Sequence, residues 1–175
     1  MKTFLFSIFL LLVTITAINF SGYRINTTKS IPIGLYKEVN SYPQINDYVI
    51  FCPPDNSIFQ EAKIRNYIGI GLCSGNYGYL MKKIVAVTGD YVTISEKGVF
   101  INNKYLPLST PLKTDSKGRE LPVININKVL NDSDVLLMSD ISNTSFDARY
   151  YGTIDKKHIR SVIKPIFILG EKNSD

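Results

Sequence analysis

The 175-residue chain has no tryptophan, a single histidine, His158, and only two cysteines, Cys52 and Cys73. One histidine and two distant cysteines form no ligand cluster, so a metal site is not expected. His158 lies in "DKKHIR", flanked by charges and expected at the surface, which leaves a Ser-His-Asp triad without its base. Lysine and arginine outnumber the acids for a net charge of +5, yet no long Lys/Arg run and no nucleic-acid motif is present. Nucleic acid is therefore not an expected partner, and the excess charge suits solubility beside anionic lipid headgroups. No fixed-period repeat, low-complexity linker or second domain is visible.

Charge is also missing from one long stretch. In "MKTFLFSIFLLLVTITAINF" no charged residue occurs between Phe4 and Phe20, enough for a helix of roughly 25 Å. That is near the short end of what spans a bilayer. The competing reading is a cleaved secretory leader, with Lys2 before the apolar run and Thr14 and Thr16 loosely matching a small-x-small site. The run is longer than a usual leader core, so an uncleaved anchor over residues 1–22 is expected, with one domain over residues 23–175. Counting charges leaves orientation nearly undecided, since Lys2 and the amino terminus stand against Arg24, Lys29 and Lys37.

After the anchor the chain reads as mostly β. "GLYKEV", "DYVIFC", "YLMKKIVAV", "YVTIS", "VFINN", "VLLMS" and "IRSVIKPIFIL" are short apolar, β-branched or aromatic runs separated by Gly, Asn and Asp turns. "TGDYVTISEKGVFINNKYL" reads as a meander with turns at Gly89-Asp90 and Lys97-Gly98. One helix is expected in "NSIFQEAKIRNYI", where Phe59 and Ala62 follow helical spacing after polar capping residues. The architecture expected is an antiparallel β sandwich or partly closed barrel with one short helix. Cys52 and Cys73 lie beside turn residues. With the domain outside the cytoplasm they are expected to form a disulfide, two unrelated buried thiols being the alternative.

Three segments carry candidate chemistry. In "NTTKSIPIGLYK", Pro32 and Gly34 brace a rigid bend that holds the Ser30 hydroxyl close to the end of the apolar leader. In "GYLMKKIVAVTGD" an extended strand places Lys82 with Leu80, Ile84 and Ala86 on one face, and Lys83 with Met81, Val85 and Val87 on the other. Whichever face is buried, one lysine lies among apolar neighbours, where its charged form is disfavoured and it can act as a general base. In "SDISNTSFDARYYGTI", Ser145, Asp147 and Arg149 alternate, and the last two are spaced to pair or to anchor a loop.

In this order the three segments resemble the serine/lysine signal peptidase family, and more closely its TraF-like conjugative-transfer branch. "SIPIGLY" is similar to that branch's Ser-x-Pro-x-Gly-x-Tyr box, "MKKIVAVTGD" to the box of the base lysine, and "SFDARYYG" to the Ser-x-Asp-Ser-Arg-Tyr-x-Gly box. Departures are "MSDISN" where the family has Gly-Asp-Asn, and Ala148 where a serine is common. The resemblance implies Ser30 as nucleophile and Lys82 as general base. It further implies Ser145 orienting that lysine, Asp147 and Arg149 as a structural pair, and Thr28 joining the Ser30 amide in binding the oxyanion. No metal or cofactor is implied. The implied protein is a single-pass inner-membrane peptidase with its domain on the extracytoplasmic side. It would cleave exported precursors, with a conjugative pilin subunit as expected substrate and water or the chain's own amine as acyl acceptor. A housekeeping signal peptidase and a non-catalytic anchored scaffold are the alternatives.

Overall fold

Short turns built from Gly, Asn and Asp cut the chain into twelve strands among the residues described by the computed structural model, 4–9 and 21–170. A seven-stranded antiparallel sheet runs in the order β1 (Tyr23–Asn26), β2 (Gly34–Val39), β12 (Ile159–Ile168), β3 (Tyr48–Phe51), β5 (Leu80–Ala86), β10 (Asp134–Met138), β11 (Ile154–Asp155). A four-stranded antiparallel sheet follows the order β8 (Lys104–Tyr105), β7 (Gly98–Ile101), β6 (Tyr91–Ser95), β9 (Ile126–Val129). β4 (Ile70–Cys73) bridges only to Tyr77. The expected mainly β, antiparallel architecture is observed.

The large sheet is covered on both faces. On one, Val49, Phe51, Ile84 and Leu136 pack with Val92, Ile94 and Val99 of the small sheet, so a single core joins the two. On the other, Ile50, Met81 and Ile163 pack with Ile31 and Tyr36. Two-sided burial explains why β3 and β5 read as almost continuous apolar runs rather than as alternation. Helix α1 (Ser57–Ile64) starts at Asn56, whose side-chain oxygen accepts from the Phe59 N–H at 3.2 Å, and it buries Phe59 and Ala62 in the larger core.

Three details differ from the sequence expectation. A second short helix, α2 (Ala148–Tyr151), follows Asp147, whose carboxylate accepts from the Arg149 N–H and caps it. "VFINN" overruns its strand: Asn102 and Asn103 take φ of 50° and 64° and make the two-residue turn between β7 and β8, a conformation asparagine tolerates. His158 is half-buried rather than exposed, because its carbonyl accepts the Cys52 N–H and holds that segment against the end of β3. Residues 4–9 are helical, but the anchor expected over 1–22 falls largely on residues outside those described. Among the described residues no helix is long and apolar enough to cross a membrane.

Candidate active site

The turn between β1 and β2 is assembled by the residues that punctuate it. Tyr36 donates its hydroxyl to the Pro32 carbonyl at 2.6 Å. Gly34 is required because a Cβ there would lie 2.1 Å from the Phe167 carbonyl oxygen. The spacing Pro-x-Gly-x-Tyr is thus a packing rule: the bend must fold flat against β12 and be tied back by the tyrosine. Ser30 sits half-buried at the head of this bend, with its Oγ 2.9 Å from the Thr28 Oγ1. Behind both lies Asn26, 4 % exposed, which donates to the carbonyls of Thr28 and Ile31 at 2.8 Å and of Pro32 at 3.1 Å.

β5 delivers the lysine. Its Lys82 is opposite Val49 of β3, 2 % exposed, on the same face as buried Ile84 and Ala86. Its pKa is pushed down from 10.5 to about 8, chiefly because burial strips water from the ammonium. The Asp147 carboxylate opposes that shift and the Arg149 guanidinium adds to it. Lys83 belongs to the other environment. Its Nζ is 3.2 Å from Asp140 and 5.8 Å from the centre of the Tyr48 ring, and the Tyr48 hydroxyl donates to the same carboxylate.

The loop between β10 and α2 is organised by a buried ion pair. Arg149 and Asp147 are both fully buried. Arg149 Nε and Nη2 donate to the two carboxylate oxygens at 2.7 and 2.8 Å. Its other donors reach the carbonyls of Leu108, Asn143 and Ser142 at 2.8 to 3.0 Å. All five guanidinium N–H groups are therefore satisfied. The Asp147 carboxylate also accepts from the Ser139 N–H at 3.1 Å, and Ser139 Oγ donates to the Lys29 carbonyl at 3.4 Å. A path of contacts thus runs from the ion pair to the residue before Ser30.

One cavity of about 380 Å³ is lined by Thr28, Ser30, Lys82 and Ser145, with Tyr67, Tyr79 and Phe146 as aromatic walls. Four candidates drawn from three distant segments therefore face a common space. Asp147 and Arg149 lie behind it, and His158 is absent from its lining. Cys52 and Cys73 are bonded to each other, pinning the ends of β3 and β4. Among the described residues no group of three or more His, Cys, Asp or Glu side chains is gathered as for a metal ion. Sequence reasoning missed Asn26 and Ser139. For Asn26 a signal existed: Asn-x-Thr is an Asx-turn pattern, and the Thr28 N–H does donate to Asn26 Oδ1 at 3.2 Å.

Residues 1–168 match the family model described as signal peptidase, peptidase S26. The chain is 49 % identical over 147 residues to a plasmid transfer protein TraF of Escherichia coli, covering 83 % of each. It is 32 % identical over 163 residues to the conjugal transfer protein TraF of Agrobacterium tumefaciens (strain 15955), covering 92 % of this chain and 90 % of that one. A crystal structure of a signal peptidase I from Enterococcus faecalis V583 aligns at a TM-score of 0.41 and 16 % identity, over 71 % of this chain and 98 % of that one, too distant a likeness to carry weight.

Proposed function

Since the chain belongs to the signal peptidase family, peptidase S26, we propose that it is a serine endopeptidase in which Ser30 is the nucleophile and Lys82 the general base. The observation that carries this reading is the shared cavity, where a serine on a braced turn and a desolvated lysine face the same space. With a pKa of about 8, about a tenth of the lysines are neutral at pH 7, against fewer than about one in a thousand for an ordinary lysine. Neutral Lys82 takes the Ser30 proton as Ser30 Oγ attacks the scissile carbonyl. The Ser30 N–H and the Thr28 hydroxyl receive the oxyanion, and Ser145 orients the lysine. Collapse expels the amine, which carries away the proton held by Lys82, and leaves an acyl-Ser30 ester. Water, or an amine of the substrate's own chain, then releases the acyl group and regenerates Ser30.

The substrates on this reading are exported precursor proteins, with a pilin subunit as the expected one; the TraF relatives, named for plasmid and conjugal transfer, support a role in conjugation. Residues 1–22 anchor the chain in the inner membrane and residues 23–175 form the peptidase domain on its extracytoplasmic side. A tether this short keeps Ser30 at the membrane surface, where the cleavage sites of membrane-inserted precursors lie. The test is processing of a pilin precursor from the same locus by wild-type and Ser30→Ala protein, read by intact mass. Wild-type protein is expected to give a shortened product, lighter by one further water if the acyl group passes to the chain's own amine. Ser30→Ala should give none, and processing by that variant would overturn the mechanism.

A further inference from the structure

Asn26 closes β1 directly before the Ser30 loop, and every polar atom of its side chain is engaged. Its Nδ2 faces three carbonyls, while its Oδ1 faces the Thr28 N–H at 3.2 Å and the Thr28 hydroxyl at 3.0 Å. Turning the amide over would set its N–H groups against the Thr28 N–H and its oxygen against three oxygens, so these partners assign its orientation.

That orientation fixes two more protons. Oδ1 can only accept, so the single hydroxyl proton of Thr28 is given to Asn26. The 2.9 Å contact between Thr28 Oγ1 and Ser30 Oγ must then be donated by Ser30. In the resting site the Ser30 proton therefore points at Thr28 and not at Lys82.

We propose that Asn26 is the positioning residue of this loop, shaping the backbone that carries Ser30 and, through the Thr28 hydroxyl, holding the Ser30 proton away from the base until substrate is bound. The inference rests on the Ser30/Lys82 reading above. Acylation requires two rotations. Ser30 O–H turns from Thr28 to Lys82, and the Thr28 proton swings from Asn26 Oδ1 to the developing oxyanion. Asn26 Oδ1 keeps the Thr28 N–H throughout, so the swing leaves no buried acceptor unpaired and carries little penalty. Without an oxyanion to receive the Thr28 proton, the resting chain of donors is the better arrangement.

The experiment uses full-length protein in detergent with the pilin precursor, comparing wild type, Asn26→Ala, Thr28→Val and the double variant. Asn26→Ala and Thr28→Val are each expected to lower kcat about 100-fold with KM little changed, the scale of a misplaced or lost oxyanion contact. Because both act through one hydroxyl, the double variant should be no worse than about threefold below the weaker single variant. The acidic limb of the pH–rate profile should stay where Lys82 puts it in every variant. Effects that multiply in the double variant, wild-type kcat in Asn26→Ala, or a moved acidic limb would each overturn the proposal. If Asn26→Ala does not fold, the same cycle is run with the near-isosteric, uncharged Asn26→Leu, which removes the acceptor for the Thr28 hydroxyl and adds no charge beside Lys82. Non-additivity is expected there too, and multiplication would again overturn it. Turnover by wild type with none by Ser30→Ala, measured alongside, keeps failure of this inference separate from failure of the Ser30/Lys82 reading.

Discussion

Burial takes the Lys82 ammonium out of water, and the hydration it loses is why its pKa falls to about 8. The same shift is a cost to folding. Between pH 8 and 10.5 the unfolded chain binds more protons than the native one, so stability should rise with pH across that window. Below about pH 8 both states are protonated and the full penalty, about 3 kcal/mol for such a shift, weighs on the fold. Lys82→Met is therefore predicted to be inactive yet more stable at pH 7, by on the order of 1–3 kcal/mol, and to lose the rise in stability above pH 8. Denaturant unfolding at pH 7 and pH 10 checks both parts. Lys82→Arg should be inactive because arginine does not deprotonate, whereas Lys83→Arg should stay substantially active, its partner being Asp140 on the other side of the strand. An acidic limb near pH 6.5 rather than near 8 would point to a histidine. The alternation in β5 was legible from its residues, but which lysine meets a serine was not. That depends on which face of the strand the Ser30 loop crosses, and only the family resemblance spoke to it. Asn26 went unread because the Asx-turn signal in "NTT" marks a turn but not the Ile31 and Pro32 carbonyls that its amide also reaches.

The nucleophile turn is held by an element distant in sequence. Gly34 and Ile168 are register partners, and β12 shifts register between Pro165 and Phe167 where the turn lies against it. Gly34→Ala would place a methyl group against backbone that cannot swing aside, with a predicted loss of more than about 3 kcal/mol. Gly89→Ala, at φ +88° with open space around it, should cost only about 1 kcal/mol. Thermal melting of the two variants measures the contrast, and equal effects would mean that the bend does not depend on contact with β12. Strands β2 and β6 coincide with the runs read from sequence, because each has enough apolar or β-branched residues to declare a period. β9, with the sequence Ile-Asn-Lys-Val, does not, and half of it is exposed. α2 has four residues and no periodicity to read. Its start is fixed by the Asp147–Arg149 pair, which appears in sequence only as two charges two positions apart.

Across the whole molecule, the Cys52–Cys73 disulfide closes a loop of sequence separation 21. The chain between and just beyond the cysteines supplies Tyr67, Gly69 and Tyr79 to the cavity wall. Such a loop is worth about 3 kcal/mol in restricted unfolded-state freedom. The double variant Cys52→Ser/Cys73→Ser should lose roughly that much in denaturant unfolding, and reductant should do the same to wild type. In freshly isolated membranes the two cysteines should resist alkylation until reduced, and free thiols there would oppose an extracytoplasmic domain. The position of β12 has a different kind of consequence. Among the described residues it follows the other eleven strands, yet in the large sheet it lies between β2 and β3. A chain emerging from the ribosome has β2 and β3 long before the strand that joins them. Until residues 159–168 arrive, the Ser30 turn has no β12 backbone to lie against and the sheet is split in two. The peptidase would remain unassembled while these residues are still to come, and its ability to cut would switch on only when β12 docks between β2 and β3.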